Sequence, residues 1–119
     1  MIGQLHSVVL DAPDAHALAT FYADLLGMEV SRGRPGDDWV VVTGQGHRLA
    51  FQQAPDLVPP DWPDPARPQQ FHLDVFVTDV EQAEPEVLAL GARRLPGGGG
   101  DFRVYADPAG HPFCLVWDA

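Results

Sequence analysis

Apolar positions along the chain fall into short strand-like runs and two stretches with helical spacing. The opening run, Leu5-His6-Ser7-Val8-Val9-Leu10-Asp11, ends in an acid. In residues 14–26, Leu18, Phe21, Tyr22, Leu25 and Leu26 recur at i, i+3, i+4, i+7 and i+8, an apolar stripe along one helix face, and Gly27 is a natural stop. Strands are then predicted at 29–34, 39–43 and 47–53, divided by Pro35-Gly36-Asp37 and Gly44-Gln45-Gly46.

The same order returns in the second half. Phe71-His72-Leu73-Asp74-Val75-Phe76-Val77-Thr78-Asp79 repeats the opening, with His72 standing 66 positions after His6. Asp79 and Gln82 have capping-box spacing, Val80, Ala83, Val87, Leu88 and Leu90 are apolar, and Gly91 ends the segment. Pro85 lacks the amide that a helix interior uses, so this helix is expected to kink or to start late. Strands follow at 93–95, 102–106 and 111–117, divided by Pro96 with Gly97-Gly98-Gly99-Gly100, and by Asp107-Pro108-Ala109-Gly110. The last strands of the two halves also correspond, His111 lying 64 positions after His47. Residues 54–68 hold six prolines and read as an extended linker. The expected fold is α+β: a single domain of two βαβββ modules, 1–54 and 69–119, joined by the proline-rich linker 55–68 and forming an open eight-stranded cleft.

Strand alternation sorts the faces. Leu73, Val75 and Val77 suit the side under a helix, leaving His72, Asp74 and Phe76 opposite. Phe113, Leu115 and Trp117 leave Cys114 and Val116 opposite, and Leu49 and Phe51 leave Ala50 and Gln52. Matching His6 to His72 by the repeat, the expected ligand-binding surface presents His6, Ala50, Gln52, His72, Asp74, Phe76 and Cys114.

Composition narrows the chemistry. Of 119 residues, 17 are acidic and 7 basic, a net charge of −10, and every basic residue is arginine. No basic patch offers itself to nucleic acid or to an anionic membrane, so neither is an expected partner. The absence of lysine excludes a Walker-type phosphate loop and Schiff-base chemistry. One cysteine, Cys114, excludes an internal disulfide and fits a reducing, cytoplasmic setting. The N-terminal residues do not resemble a signal peptide, and no apolar run is long enough to span a membrane.

Three motifs carry a resemblance. Phe21-Tyr22-Ala23-Asp24-Leu25-Leu26-Gly27-Met28 is similar to the FY-x-x-x-LG-[ML] helix end of the vicinal oxygen chelate superfamily. Asp107-Pro108-Ala109-Gly110-His111 resembles that superfamily's DP-x-G turn, and Gln70-Phe71-His72-Leu73-Asp74-Val75 its central strand. The likeness covers essentially the whole chain and extends to the small glyoxalase-like domains; the superfamily includes glyoxalase I, bleomycin-resistance proteins and extradiol dioxygenases. It implies metal-ligand positions at His6, Ala50, His72 and Cys114, on the first, fourth, fifth and eighth strands. Both histidines are kept, while Ala50 and Cys114 replace the carboxylates of glyoxalase I-like members.

Two expectations follow. In the first, the protein binds a small organic molecule as bleomycin-resistance proteins do, without a standard metal centre and as a homodimer. In the second, it is a metal-dependent lyase, isomerase or dioxygenase that holds one divalent ion (zinc, iron, manganese or nickel) through His6, His72 and an unusual third ligand, Cys114. Asp74 and Gln52 lie within one pleat and are candidates to replace the lost carboxylate. Trp39, Trp62, Phe76, Phe102 and Tyr105 are candidates to wall a pocket or to fill a core, and Arg48 and Arg103 to pair a ligand anion or face solvent. Glu81, Glu84 and Glu86 read as a solvated helix face.

Overall fold

The computed structural model describes residues 1–118; residue 119, the last of the expected second module, lies outside them. The elements run β1 (Val8–Ala12), α1 (Ala15–Leu26), β2 (Glu29–Arg32), β3 (Trp39–Gly44), β4 (His47–Gln53), β5 (Leu73–Phe76), α2 (Val80–Ala89), β6 (Arg93–Arg94), β7 (Phe102–Ala106) and β8 (Pro112–Val116). They form two four-stranded sheets of the same topology, β1-β4-β3-β2 and β5-β8-β7-β6. Within each, the first strand pairs parallel with the last and the other ladders are antiparallel. The fold is therefore α+β, built from two βαβββ units. The chain divides into two compact units, the first Met1–Leu57 and the second beginning at Val58.

In the first unit, helix α1 starts where the Asp14 side chain accepts from the Ala17 amide. It stops at Gly27, whose φ of 64° is the left-handed conformation that glycine adopts at little cost. Leu18, Phe21 and Tyr22 are buried, and Tyr22 stacks on Phe51 of β4 with ring centroids 5.8 Å apart. The apolar stripe thus docks the helix by burial, among residues at the heart of the FY-x-x-x-LG-M motif, and the Gln53 side chain of β4 accepts from the Ala15 amide at 2.9 Å.

Helix α2 is held differently. Asp79 accepts from the Glu81 and Gln82 amides, so the helix starts on time at Val80 despite Pro85 in its interior. Only Val80 and Val87 are buried. Charged groups complete the attachment: Glu84 accepts from Arg94 (2.8 Å), Arg103 (3.3 Å) and the Tyr105 hydroxyl (2.7 Å), and Arg103 also pairs with Glu81. The expected solvated face is therefore corrected for Glu84, which faces the strand cations, while Glu81 pairs with Arg103 and stays 76% exposed. Arg103 is not available to a ligand anion, because its guanidinium is spent on Glu81 and Glu84 and lies over the Trp117 ring at 5.9 Å. Tyr105 is fully buried and stacks on Phe113, a core residue rather than a pocket wall.

From Val58 onward the proline-rich stretch belongs to the second unit. The Trp62 indole N–H donates to the Pro96 carbonyl at 2.8 Å, and its ring packs on Leu95, Val104, Ala106 and Cys114. Pro59 lies against the turn before β8, where a Cβ at Gly110 would sit 2.7 Å from Pro59 Cβ. That turn is organised by buried Asp107, whose carboxylate accepts from the amides of Ala109 (2.9 Å) and His111 (3.0 Å). With Gly110 at φ +95°, Gly110→Ala meets both backbone strain and the Pro59 ring. Its expected cost is about 1–3 kcal/mol in urea unfolding, and an unchanged midpoint would show that the proline segment yields freely.

Candidate functional site

Register places the expected site residues row by row, since partners directly opposite share a face. In the second sheet Asp74 lies opposite Cys114, which lies opposite Val104; Phe76 lies opposite Val116, which lies opposite Phe102. These rows occupy the face turned away from α2, since Tyr105, Phe113 and Leu115 alternate with them on the other side. Along this face an apolar floor of Leu95, Val104, Ala106 and Cys114, flanked by Trp62 and Val116, is buried. At the β5 edge it gives way to exposed groups: Asp74, His72 just ahead of β5, and Phe76 at 58% exposure.

Three different donors converge at that border. His72 and Asp74 stand two residues apart, so one pleat carries both to the same side, and the β5–β8 ladder sets Cys114 beside Asp74. The imidazole Nε2 lies 3.2 Å from Asp74 Oδ1, and one donor atom each from His72, Asp74 and Cys114 falls within 4.8 Å of the others. Burial pushes the Cys114 thiol up to about 11, and the neighbouring Asp74 charge and hydrogen bond add to the shift. Without a cation the thiol is therefore protonated at neutral pH and donates to the carboxylate, a poor nucleophile. Nitrogen, oxygen and sulfur donors together fit a borderline divalent ion such as zinc.

The first-unit residues are placed by their own sheet. Ala50 lies opposite Val9 and Val41, and Gln52 opposite Asp11 and Trp39, on the face away from α1. Ala50 is fully buried and has no donor atom, while Gln52 is exposed. His6 is also exposed and precedes β1 by two positions, so the expected strand at 5–11 starts late. The ladders correct the pairing of the two histidines as well. Val9 lies opposite Ala50 as Asp74 lies opposite Cys114, so the ladder counterpart of His72 is Ser7, not His6.

Comparison with known proteins agrees with this architecture. A family model described as a glyoxalase-like domain matches residues 7–116. Among solved structures, a glyoxalase/bleomycin resistance protein/dioxygenase family enzyme from Burkholderia phytofirmans superposes with a TM-score of 0.72 at 17% identity, over 97% of this chain and 98% of that one. The fosfomycin resistance protein FosX from Listeria monocytogenes gives 0.72 at 16% identity, over 100% and 94%. The bleomycin-binding protein of Streptomyces verticillus, solved with copper(II)-bleomycin, gives 0.59 at 22% identity over 100% of both chains. At these identities the likeness is one of fold. None of the curated proteins matches the chain in a sequence search. The family match spans nearly every element described above, and the chain belongs to the glyoxalase-like domain family of the vicinal oxygen chelate superfamily.

Proposed function

We propose that this chain binds a small organic molecule against the helix-free face of its second sheet, at the border where the apolar floor meets His72, Asp74 and Phe76. The observation that carries it is that border itself: a buried apolar floor beside a few exposed polar groups and an exposed aromatic ring. The bleomycin-binding and fosfomycin resistance proteins are supporting neighbours of the same fold. In this proposal no standard family metal centre is used, since Ala50 offers no donor and Cys114 stands where glyoxalase I-like members carry a carboxylate. The protein works as a homodimer in the cytoplasm, a proposal supported by the family resemblance and by the single free cysteine. The net charge of −10 supports the absence of nucleic-acid partners. Among the described residues, no helix is long and apolar enough to cross a membrane.

The test is a thermal-shift panel of small organic compounds, neutral and cationic, against the wild type, Phe76→Ala and Asp74→Asn. A ligand at about a hundred times its dissociation constant stabilises by roughly 2.7 kcal/mol. At least one stabiliser is expected, with its shift reduced in both variants. A panel with no stabiliser, or one whose hits act equally on Phe76→Ala and Asp74→Asn, overturns the assignment.

A further inference from the structure

The geometry points to a divalent-cation site held by the second unit alone, with Asp74 as the ligand that replaces the missing carboxylates and with His72 and Cys114 as its companions. The family resemblance expects a third donor from the fourth or eighth strand; here the carboxylate comes from the fifth, on the same pleat as the histidine.

Three observations carry this. The donors are of three kinds and are delivered by two constraints: His72 and Asp74 by the pleat they share, Cys114 by the β5–β8 register. Their separations are near those of a coordination sphere. Zinc bonds of about 2.0–2.3 Å place tetrahedral donors about 3.3–3.6 Å apart. The His72–Asp74 pair already stands at 3.2 Å, and no pair exceeds 4.8 Å. Closing the sphere therefore asks for about an ångström of side-chain adjustment, within reach of two exposed side chains around one fixed sulfur. The buried cysteine is the fixed point, seated among Leu95, Val104 and Ala106, while His72 and Asp74 are solvent-accessible and admit the ion.

Sulfur and imidazole nitrogen favour zinc or cobalt over magnesium or calcium, which prefer all-oxygen shells. On binding, the thiol proton leaves to water, a sulfur–metal bond forms, and the Asp74 carboxylate exchanges its hydrogen bonds for a metal–oxygen bond. Three protein donors leave a fourth tetrahedral position for water or a donor atom of an organic ligand. The site is independent of the organic-ligand assignment, because the metal alone is its probe.

The experiment uses untagged full-length protein. Zinc affinity is measured by competition with a chromophoric chelator, and cobalt(II) is titrated to read the sulfur-to-cobalt absorption in the near ultraviolet. The expected result is one ion per chain, with the sulfur band present in the wild type and absent in Cys114→Ser. Asp74→Asn and His72→Ala weaken zinc binding at least tenfold, while His6→Ala and the hairpin variant His47→Ala bind as the wild type does. Asp74 is exposed, so its variant keeps the fold and remains informative where Cys114→Ser loses stability. No zinc binding, wild-type affinity in Asp74→Asn, or loss of binding in His6→Ala would each overturn the proposal.

Discussion

Trp62→Ala is expected to destabilise the second unit by about 2–4 kcal/mol, close to the range for truncating large buried aromatics and reduced for a ring that is only part-buried. The ring covers Leu95, Val104, Ala106 and Cys114, and its indole N–H satisfies the Pro96 carbonyl at 2.8 Å. Trp62→Phe keeps much of the covering area but deletes the donor, so it should cost about 0.5–1.5 kcal/mol. Urea unfolding of the three proteins measures both figures. A Trp62→Ala protein as stable as the wild type would mean that the proline-rich segment is only a tether. The same variant should quicken reaction of Cys114 with a thiol reagent, since the ring packs over its surroundings.

Glu84→Ala is expected to cost about 2–3 kcal/mol, more than an exposed ion pair, which is usually worth under about 1 kcal/mol. The difference lies in Tyr105, fully buried, whose hydroxyl loses its Glu84 partner. The Tyr105 hydroxyl donated to Glu84 holds that carboxyl below the usual range, helped by Arg94 and Arg103 and opposed by burial. A carboxyl lowered in the folded state contributes stability that is fully present above its unfolded value near 4.5 and lost as pH falls through the folded one. Acid should therefore erode wild-type stability below about pH 4.5 more steeply than it erodes Glu84→Gln. At the other extreme, burial and the Glu84 charge push the Tyr105 hydroxyl up to about 12 from 10. That contribution is present below pH 10 and is lost as pH rises toward 12. Thermal melts across pH check both limbs, and parallel acid profiles for wild type and Glu84→Gln would refute the role assigned to Glu84.

Much of this architecture is legible in the residues. Alternation and turn residues locate β4 and β7 at their observed bounds, because Gly44-Gln45-Gly46 and the surrounding strand runs leave no competing assignment. Alternation also separates Cys114 from Phe113 and Leu115, a local property of any strand. What is not legible depends on partners distant in sequence. Nothing near Glu84 announces Arg94 and Arg103, which β6 and β7 bring to it. Nothing near Trp62 announces Pro96, 34 positions on. The histidine pairing fails for a subtler reason: the repeat spacing is 66 between His6 and His72 but 64 between His47 and His111. Matching residue names along that drift misplaces one side chain, and only hydrogen-bonded register decides which. Of the candidate site, the three donor types are readable, whereas their convergence within 4.8 Å is a fact of the ladder.

The parallel pairing of first strand with last also sets an order of assembly during synthesis. β4 closes the first sheet by residue 53, so that half can complete its ladders while the rest is still being translated. The second sheet cannot do so before residue 112, because β8, interior to its sheet as β4 is to the first, joins β5 on one side to β7 on the other. Until residue 112 emerges, β5 has no neighbour, and the edges later joined by β8 stay unsatisfied. The nascent chain thus carries a finished half ahead of an unfinished one, and the strand that ends this interval is the one that delivers Cys114.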